Sequence, residues 1–407
     1  MSHGTLYKAL KAIKPLRKVV QRARDQWGRW RVNTWLIAGK ERRSGEPLQV
    51  LIAGQHETKN YLAALLFNQP YSETHRQMWR WRVLRKATAR ESGHAIAFLD
   101  TTVRTCRHAR RENVFWLRGW VRTELELARA AERIQRSDGI KSDVRKIYEN
   151  RLVCDTTADP IALERFYWDM YAPYARQGFG DKAIYMSYEQ MKAGLKNPEL
   201  LRVNQDGQTL AGMVILHPEN SVPHWWILGM RDGDRSLVKQ GVLAALYLFG
   251  VQHLKDRGYQ RALLGGVRPF LTDGILQYKR KWGARLLAGD DGDPHWLMVV
   301  VTQSTSAVRG FLKACPLVGE DQQGLVGRVF FDGSEFDDSK RVRHQTTELA
   351  ALGVDRVRAI QFLPVGARNR HLLQEVQETA GFGTGTGPLS AWPSIVNLPK
   401  DNASIRD

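Results

Sequence analysis

His224, Arg268, Asp273, Tyr278 and Lys279 lie in one stretch of the chain, and their types suit transfer chemistry. A histidine titrates near neutrality, so His224 can take the proton of an attacking amine directly or through water. Asp273 is the second base candidate. Arg268 suits either loop anchoring or an anionic acceptor group, because its fork binds planar anions. Lys279 and Lys281 suit contact with the phosphates of an anionic partner. Tyr167, Tyr171, Tyr174 and Trp226 are aromatics of the kind that line a sugar pocket. Each has a plainer reading as well: a strand histidine beside Trp225-Trp226, helix-surface lysines, core aromatics at helical spacing. The histidines form no HxxxH or HExxH pair and the carboxylates no calcium-loop spacing, so no metal is expected. No Walker sequence and no Gly-x-Ser-x-Gly elbow occur.

The chain around these residues has 407 positions, a length that points to two or three domains. Lys and Arg number 61 against 42 Asp and Glu, a formal charge of +19. That excess favours an anionic partner: nucleic acid, an acidic membrane surface or a phosphate-bearing ligand. Cys106, Cys154 and Cys315 are scattered with no CxxC pair, which argues against a disulfide scaffold and for a reducing compartment. The longest apolar run, Gly241 to Val251, is shorter than the ~20 residues that a membrane span needs. A cytoplasmic protein is expected. Residues 1–32 read as a basic amphipathic helical segment interrupted at Pro15. Such a segment can lie at the inner face of the membrane, contact RNA, or pack on the body.

From Asn33 to Val153 the pattern is mixed. Gln49–Gly54 and Ala95–Leu99 read as buried strands, Asn60–Phe67 and Tyr71–Lys86 as helices, and Arg122–Gln135 as a further helix. From Arg151 the pattern sharpens. Helices are expected over Ile161–Tyr174 and Ser187–Leu195, then strands Leu200–Val203, Thr209–His217 and His224–Met230, the first two joined by Asp206-Gly207. Next come helix Val238–Lys255, strand Arg261–Gly266, helix Thr272–Trp282, and strands Ala284–Leu287 and Trp296–Thr302. Beyond Phe330 one strand within Leu349–Phe362 and one helix over Arg368–Thr379 are expected, before a Gly/Pro-rich tail.

That order, together with Gly265-Gly266-Val267-Arg268-Pro269-Phe270-Leu271-Thr272-Asp273-Gly274 and Tyr278-Lys279-Arg280-Lys281-Trp282-Gly283, resembles the GNAT acyltransferase superfamily. Phe166-Tyr167 with Met170-Tyr171-Ala172-Pro173-Tyr174, and the Asp206–Gly212 hairpin, add to the likeness. It is similar in particular to the branch of Fem-type peptidyl transferases and cellulose-biosynthesis-type acetyltransferases. The resemblance covers about Ser137 to Thr302. It implies an α/β (α+β) GNAT fold whose mixed central sheet has a splayed strand pair, in two GNAT-like lobes. The division implied is 33–150 as a degenerate first lobe, 151–335 as the acyltransferase domain, 336–380 as a C-terminal extension and 381–407 as a disordered tail.

The resemblance also implies a site. Acetyl-CoA or another acyl-CoA would enter the splay, its pyrophosphate on the N-terminus of the following helix. The corresponding loop runs from Asp232 to Gly241 and keeps only Lys239, Gln240 and Gly241 of the usual Arg/Gln-x-x-Gly-x-Gly/Ala, with acidic Asp232 and Asp234 before them. Tyr278 matches the helix tyrosine that protonates a departing thiolate, a role a phenol fills because it is protonated at neutral pH. The implied function is acyl transfer to an amine or hydroxyl of a small molecule, an amino sugar or a cell-surface polysaccharide precursor. Two alternatives stay open: an aminoacyl-tRNA-dependent transferase of the Fem kind, and a non-catalytic RNA- or membrane-binding protein on the same scaffold.

Overall fold

Residues 31–68, 70–89, 93–102, 113–179, 186–219, 221–289, 295–321, 323–333, 340–363 and 372–380 are described by the computed structural model. The basic segment expected at the N-terminus lies, up to residue 30, outside them, as do Cys106 and the tail from Gly381. β1 (Arg31–Lys40) and β2 (Pro47–Gly54) pair as a hairpin; α1 (His56–Leu66), β3 (Ser72–Trp79), α2 (Arg80–Thr88) and β4 (Ile96–Thr102) follow. β4 returns parallel to β2, as a strand reached through a crossover can. The stretch 71–86, expected as one helix, is strand to Trp79 and helix from Arg80. Its strand half is exposed and sits at the sheet edge against β1, where no apolar alternation is needed. β5 (Val114–Arg118) turns at Gly119-Trp120 into β6 (Val121–Glu126), before α3 (Leu127–Arg136) and α4 (Asp138–Glu149). The helix expected from Arg122 therefore starts at Leu127: Val121, Thr123 and Leu125 are buried on one face of a strand.

The following elements track the expected order closely. β7 (Val153–Thr157) leads to α5 (Pro160–Phe166), a π-turn over Tyr167–Tyr171, α6 (Ala172–Phe179) and α7 (Tyr188–Gly194). Asp159 caps α5 by accepting from the Ile161 and Ala162 amides, with Pro160 in the first turn, where its missing N–H costs nothing. Strands β8 (Pro198–Gln205) and β9 (Gln208–Leu216) are joined by Asp206 and Gly207 at φ 48° and 76°, the positive pair that a two-residue hairpin demands. β10 (His224–Met230), α8 (Ser236–Lys239), α9 (Val242–Asp256), β11 (Arg261–Val267), α10 (Gly274–Lys281) and β12 (Arg285–Leu287) complete this run.

β13 (His295–Val301), α11 (Ser306–Ala314), β14 (Leu317–Asp321), β15 (Gly324–Asp332), α12 (Lys340–Ala351), β16 (Arg356–Phe362) and β17 (Leu373–Ala380) form the remainder. The strand expected within Leu349–Phe362 is β16, which follows the end of α12, whereas the helix expected over Arg368–Thr379 is instead β17, paired antiparallel to β16. Pairing to a sheet edge overrides the helix-favouring Gln and Glu of that segment.

Three mixed sheets result, in the orders β3-β1-β2-β4-β13-β5, β12-β6-β11-β10-β9-β8-β7 and β14-β15-β16-β17. The lobes trade strands. β6 leaves the first and lies between β11 and β12 of the second; β13 leaves the second and lies between β4 and β5 of the first. Leu297 to Val301 are all buried because β13 is central in a sheet covered on both faces, which explains its unbroken apolar run. In the second sheet the one parallel pair is β10 with β11. Their register is a single Cα partnership, His224 with Leu263, after which the strands diverge. This splayed pair among antiparallel neighbours is the mixed α/β, GNAT-like arrangement expected of the chain.

Candidate functional site

His224 opens β10 at the vertex of the splay. A Cβ on Gly265 would come within 3.8 Å of its Nε2, so the imidazole faces the backbone kink of β11, where Gly265 has φ 71°. The ring makes no hydrogen bond among the described residues. Burial holds its pKa below the usual histidine value, with the Lys279 and Arg122 cations adding to the effect, so it is a neutral base at pH 7. Lys279 rises from α10 behind the kink and is 5% exposed. Its ammonium donates to the Leu264, Gly265 and Gly266 carbonyls and to Thr123 Oγ1, and burial pushes its pKa down to about 7. The cation expected to meet a partner's phosphates is thus spent on the protein's own backbone.

Aromatic side chains from β10, α9 and the α10 end pack together in the core beneath this sheet. Tyr247, Tyr278 and Trp282 form a cluster with ring centroids 5.1 to 6.5 Å apart, and Trp225 meets Tyr247 edge-on. The Tyr278 oxygen is buried, lacks a well-aligned partner and faces the Trp282 indole. Burial raises its pKa, so the phenol stays protonated but enclosed; Tyr174 lies close by, half-buried under the Arg235 guanidinium. The phosphate loop is covered too. Gly241, at φ 89°, begins α9, and a Cβ there would sit 3.1 Å from the Lys146 Cβ and 3.5 Å from the Asp143 carbonyl of α4. Asn150, just past α4, donates to the Gln240 carbonyl at 3.0 Å. Asp234, upstream, caps Ser236 through its amide and hydroxyl. Lys239 alone of the expected phosphate contacts is exposed. Helix α4 and Asn150 thus pack directly on Gly241 and Gln240 at the start of α9.

Arg268 and Asp273 belong to a polar cluster between the lobes. Arg268, 8% exposed, lies 4.1 Å over the Trp120 ring and 5.3 Å over Tyr61, and donates to the Gly119 carbonyl at 3.3 Å. Burial lowers its pKa against the pull of Tyr61, Asp100, Glu57 and Asp273. Asp273 caps α10 by accepting from the Leu276 amide at 2.8 Å, and it also accepts the Tyr61 hydroxyl at 3.1 Å. Both carboxylate oxygens are engaged, and burial raises the Asp273 pKa. Across the cluster, burial raises the pKa of Glu57 and of Asp100, where Thr58 donates to the carboxylate. Three carboxyl groups surround one guanidinium, with His295 3.9 Å from Asp100. Trp120, 46% exposed, packs its side chain against Gly266 and so links this cluster to the kink facing His224.

Tyr167, Tyr171 and Trp226 are elsewhere. The Tyr167 hydroxyl donates to the Met186 carbonyl at 3.0 Å, the Tyr171 hydroxyl accepts from the Met186 amide at 3.3 Å, and Trp226 abuts Gly194. They hold helices α5 to α7 on the sheet rather than lining an acceptor pocket. Glu57, Tyr61, Asp100 and Trp120 were not singled out from the sequence. One signal was available: Gly54 and Asp100 directly follow the last parallel pair of β2 and β4, Ala53 with Leu99, at the strand ends where open α/β sheets bind ligands. Among the described residues no group of three His, Cys, Asp or Glu side chains could hold a metal, and no helix is long and apolar enough to cross a membrane.

No protein-family model matches the chain, and no curated protein does. Solved structures overlap with it at low identity. L-PGS from Bacillus licheniformis is 9% identical, covering 67% of this chain and 86% of that one, with a TM-score of 0.33. FemX is 12% identical over 64% and 83%, with a TM-score of 0.33. A GCN5-related N-acetyltransferase-like protein from Streptococcus suis is 14% identical over 66% and 83%, with a TM-score of 0.25. Overlap this loose leaves the function to the residues themselves.

Proposed function

We propose that the chain is a GNAT-fold transferase that moves an acyl group to an amine, with His224 as the base. The observation that carries this is the unpartnered, neutral imidazole at the splay vertex, facing the kink at Gly265. The amine attacks the donor carbonyl, a C–N bond forms and the donor ester bond breaks. His224 takes the proton from the amine and returns it to the departing oxygen. The acceptor reaches His224 along the segment 265–268. The carboxyl groups of Glu57, Asp100 and Asp273 beside Arg268 can hold a neutral, polar acceptor by hydrogen bonds, and the exposed face of Trp120 suits a sugar-like or small organic acceptor. An O-acyl transfer to a hydroxyl would use the same base.

The donor we favour is an aminoacyl-tRNA rather than acyl-CoA. Helix α4 lies on Gly241, where an acyl-CoA would need its diphosphate, and a charge of +19 suits an RNA-borne ester. Peripheral membrane contact through residues 1–30 belongs to the same reading, since it would bring the enzyme to a surface acceptor. Filter binding of aminoacyl-tRNA at several salt concentrations, beside thermal-shift titration with acetyl-CoA, tests the choice. Salt-sensitive retention of the tRNA, with its deacylation by an added amine lost in His224→Ala, is the expected result. A saturable rise in Tm with acetyl-CoA and no tRNA retention would return the donor to acyl-CoA, and deacylation unchanged in His224→Ala would remove the base.

A further inference from the structure

A second charged site lies away from the splay. Helices α3 and α12 and the C-terminal end of α10 border a half-open cavity of about 240 Å³ lined by Arg129, Arg133, Arg280, His344, Thr347 and Glu348. Arg129 and Arg133 are four apart on α3, so they share one helix face, where like charges repel. Arg133 is pinned: its guanidinium donates to the Arg280 and Lys281 carbonyls, both at 3.2 Å, at the negative end of α10. Arg280 pairs with Glu348. Arg129 makes no hydrogen bond or ion pair among the described residues. Three guanidinium groups thus face one carboxylate across a small half-open cleft. Burial lowers the pKa of Arg133, and the Arg129 and Arg280 charges lower it further, while Glu348 offsets only part of the positive charge gathered here.

We propose that this cavity binds a phosphate dianion, the terminal phosphate or diphosphate of a small molecule. The residual charge of two matches a monoester or diphosphate better than an internal phosphodiester, which carries one. Guanidinium forks meet phosphate oxygens in pairs. The site does not depend on the transferase reading: none of its residues touches His224, Arg268 or the cluster between the lobes.

Isothermal titration of the full chain with inorganic pyrophosphate, and separately with inorganic phosphate, at constant ionic strength, tests it. One saturable site is expected for pyrophosphate, with weaker binding of phosphate. Arg129→Gln removes the unpaired cation from a partly exposed helix position and should weaken binding at least tenfold. Thr347→Glu, on exposed α12 surface, should abolish it by repulsion and stands in should the first variant fold poorly. Arg285→Gln, a charge change outside the cavity, should bind as the parent does. Absence of saturable binding by the parent chain, or equal weakening by all three substitutions, would overturn the proposal, the latter by showing attraction to overall charge alone.

Discussion

Replacing Lys279 by methionine removes a charge held in one of the driest positions of the second lobe while keeping most of the side-chain volume. The lysine is 5% exposed, and burial pushes its pKa from 10.5 down to about 7 despite four oxygen acceptors and the nearby Asp273. That displacement corresponds to about 5 kcal/mol against the charged form. In the unfolded chain the same amine holds its proton up to its ordinary pKa. Between pH 7 and 10 the unfolded state therefore binds a proton that the folded state does not, and stability rises with pH by up to about 1.4 kcal/mol per pH unit. The cost is fully present below pH 7 and fades as the pH climbs towards 10. Urea unfolding followed by tryptophan fluorescence at pH 7.5 and 9.5, for parent and Lys279→Met, isolates the effect because the other titrating groups are shared. The parent should gain roughly 2 to 3 kcal/mol relative to the variant over that interval. Parallel pH profiles for the two proteins would refute the assignment of a depressed pKa to a buried ammonium at this kink.

Gly241→Ala should lower stability by about 1 to 3 kcal/mol, since alanine pays for the left-handed backbone at φ 89° and its methyl meets Lys146 at 3.1 Å; an unchanged urea midpoint would show that α4 does not press on the start of α9. Tyr278→Phe deletes a buried hydroxyl that lacks a well-aligned partner, so stability should hold or rise by about 1 kcal/mol. Turnover should stay within a few-fold, and a loss of several orders of magnitude would restore Tyr278 to the chemistry.

The second lobe was legible because its elements announce themselves locally. Asp206-Gly207 sets a hairpin by backbone conformation alone, and β10 spans the expected His224–Met230. The first lobe was less legible because its ordering is supplied from far along the chain: β3 is polar and exists through pairing to β1, and β5 is completed by β13. At the site, residue type offered His224 as a base but could not show who its neighbours are. Asp273 reads as a base until the Leu276 amide and Tyr61 hydroxyl claim its oxygens, and Tyr278 reads as an acid until Tyr247 and Trp282 enclose it. The aromatic residues 167, 171 and 226 carried helical or strand spacing that marks packing as readily as binding. Glu57, Asp100 and Arg268 meet across a lobe boundary that no local pattern records.

The traded strands have a consequence for how the protein is made. Ile96 of β4 waits for Val301 of β13, about two hundred residues later in the chain. At ribosomal speeds that interval lasts about 10 to 40 s. During it the first sheet presents β4 with an empty flank, bare backbone donors and acceptors along an apolar edge, the kind of edge that invites foreign strands. The second sheet receives β6 early and can close as soon as β11 emerges. Birth order and folding order are therefore reversed: the N-terminal lobe finishes last, and a nascent chain stalled before residue 295 would need a chaperone for its older half.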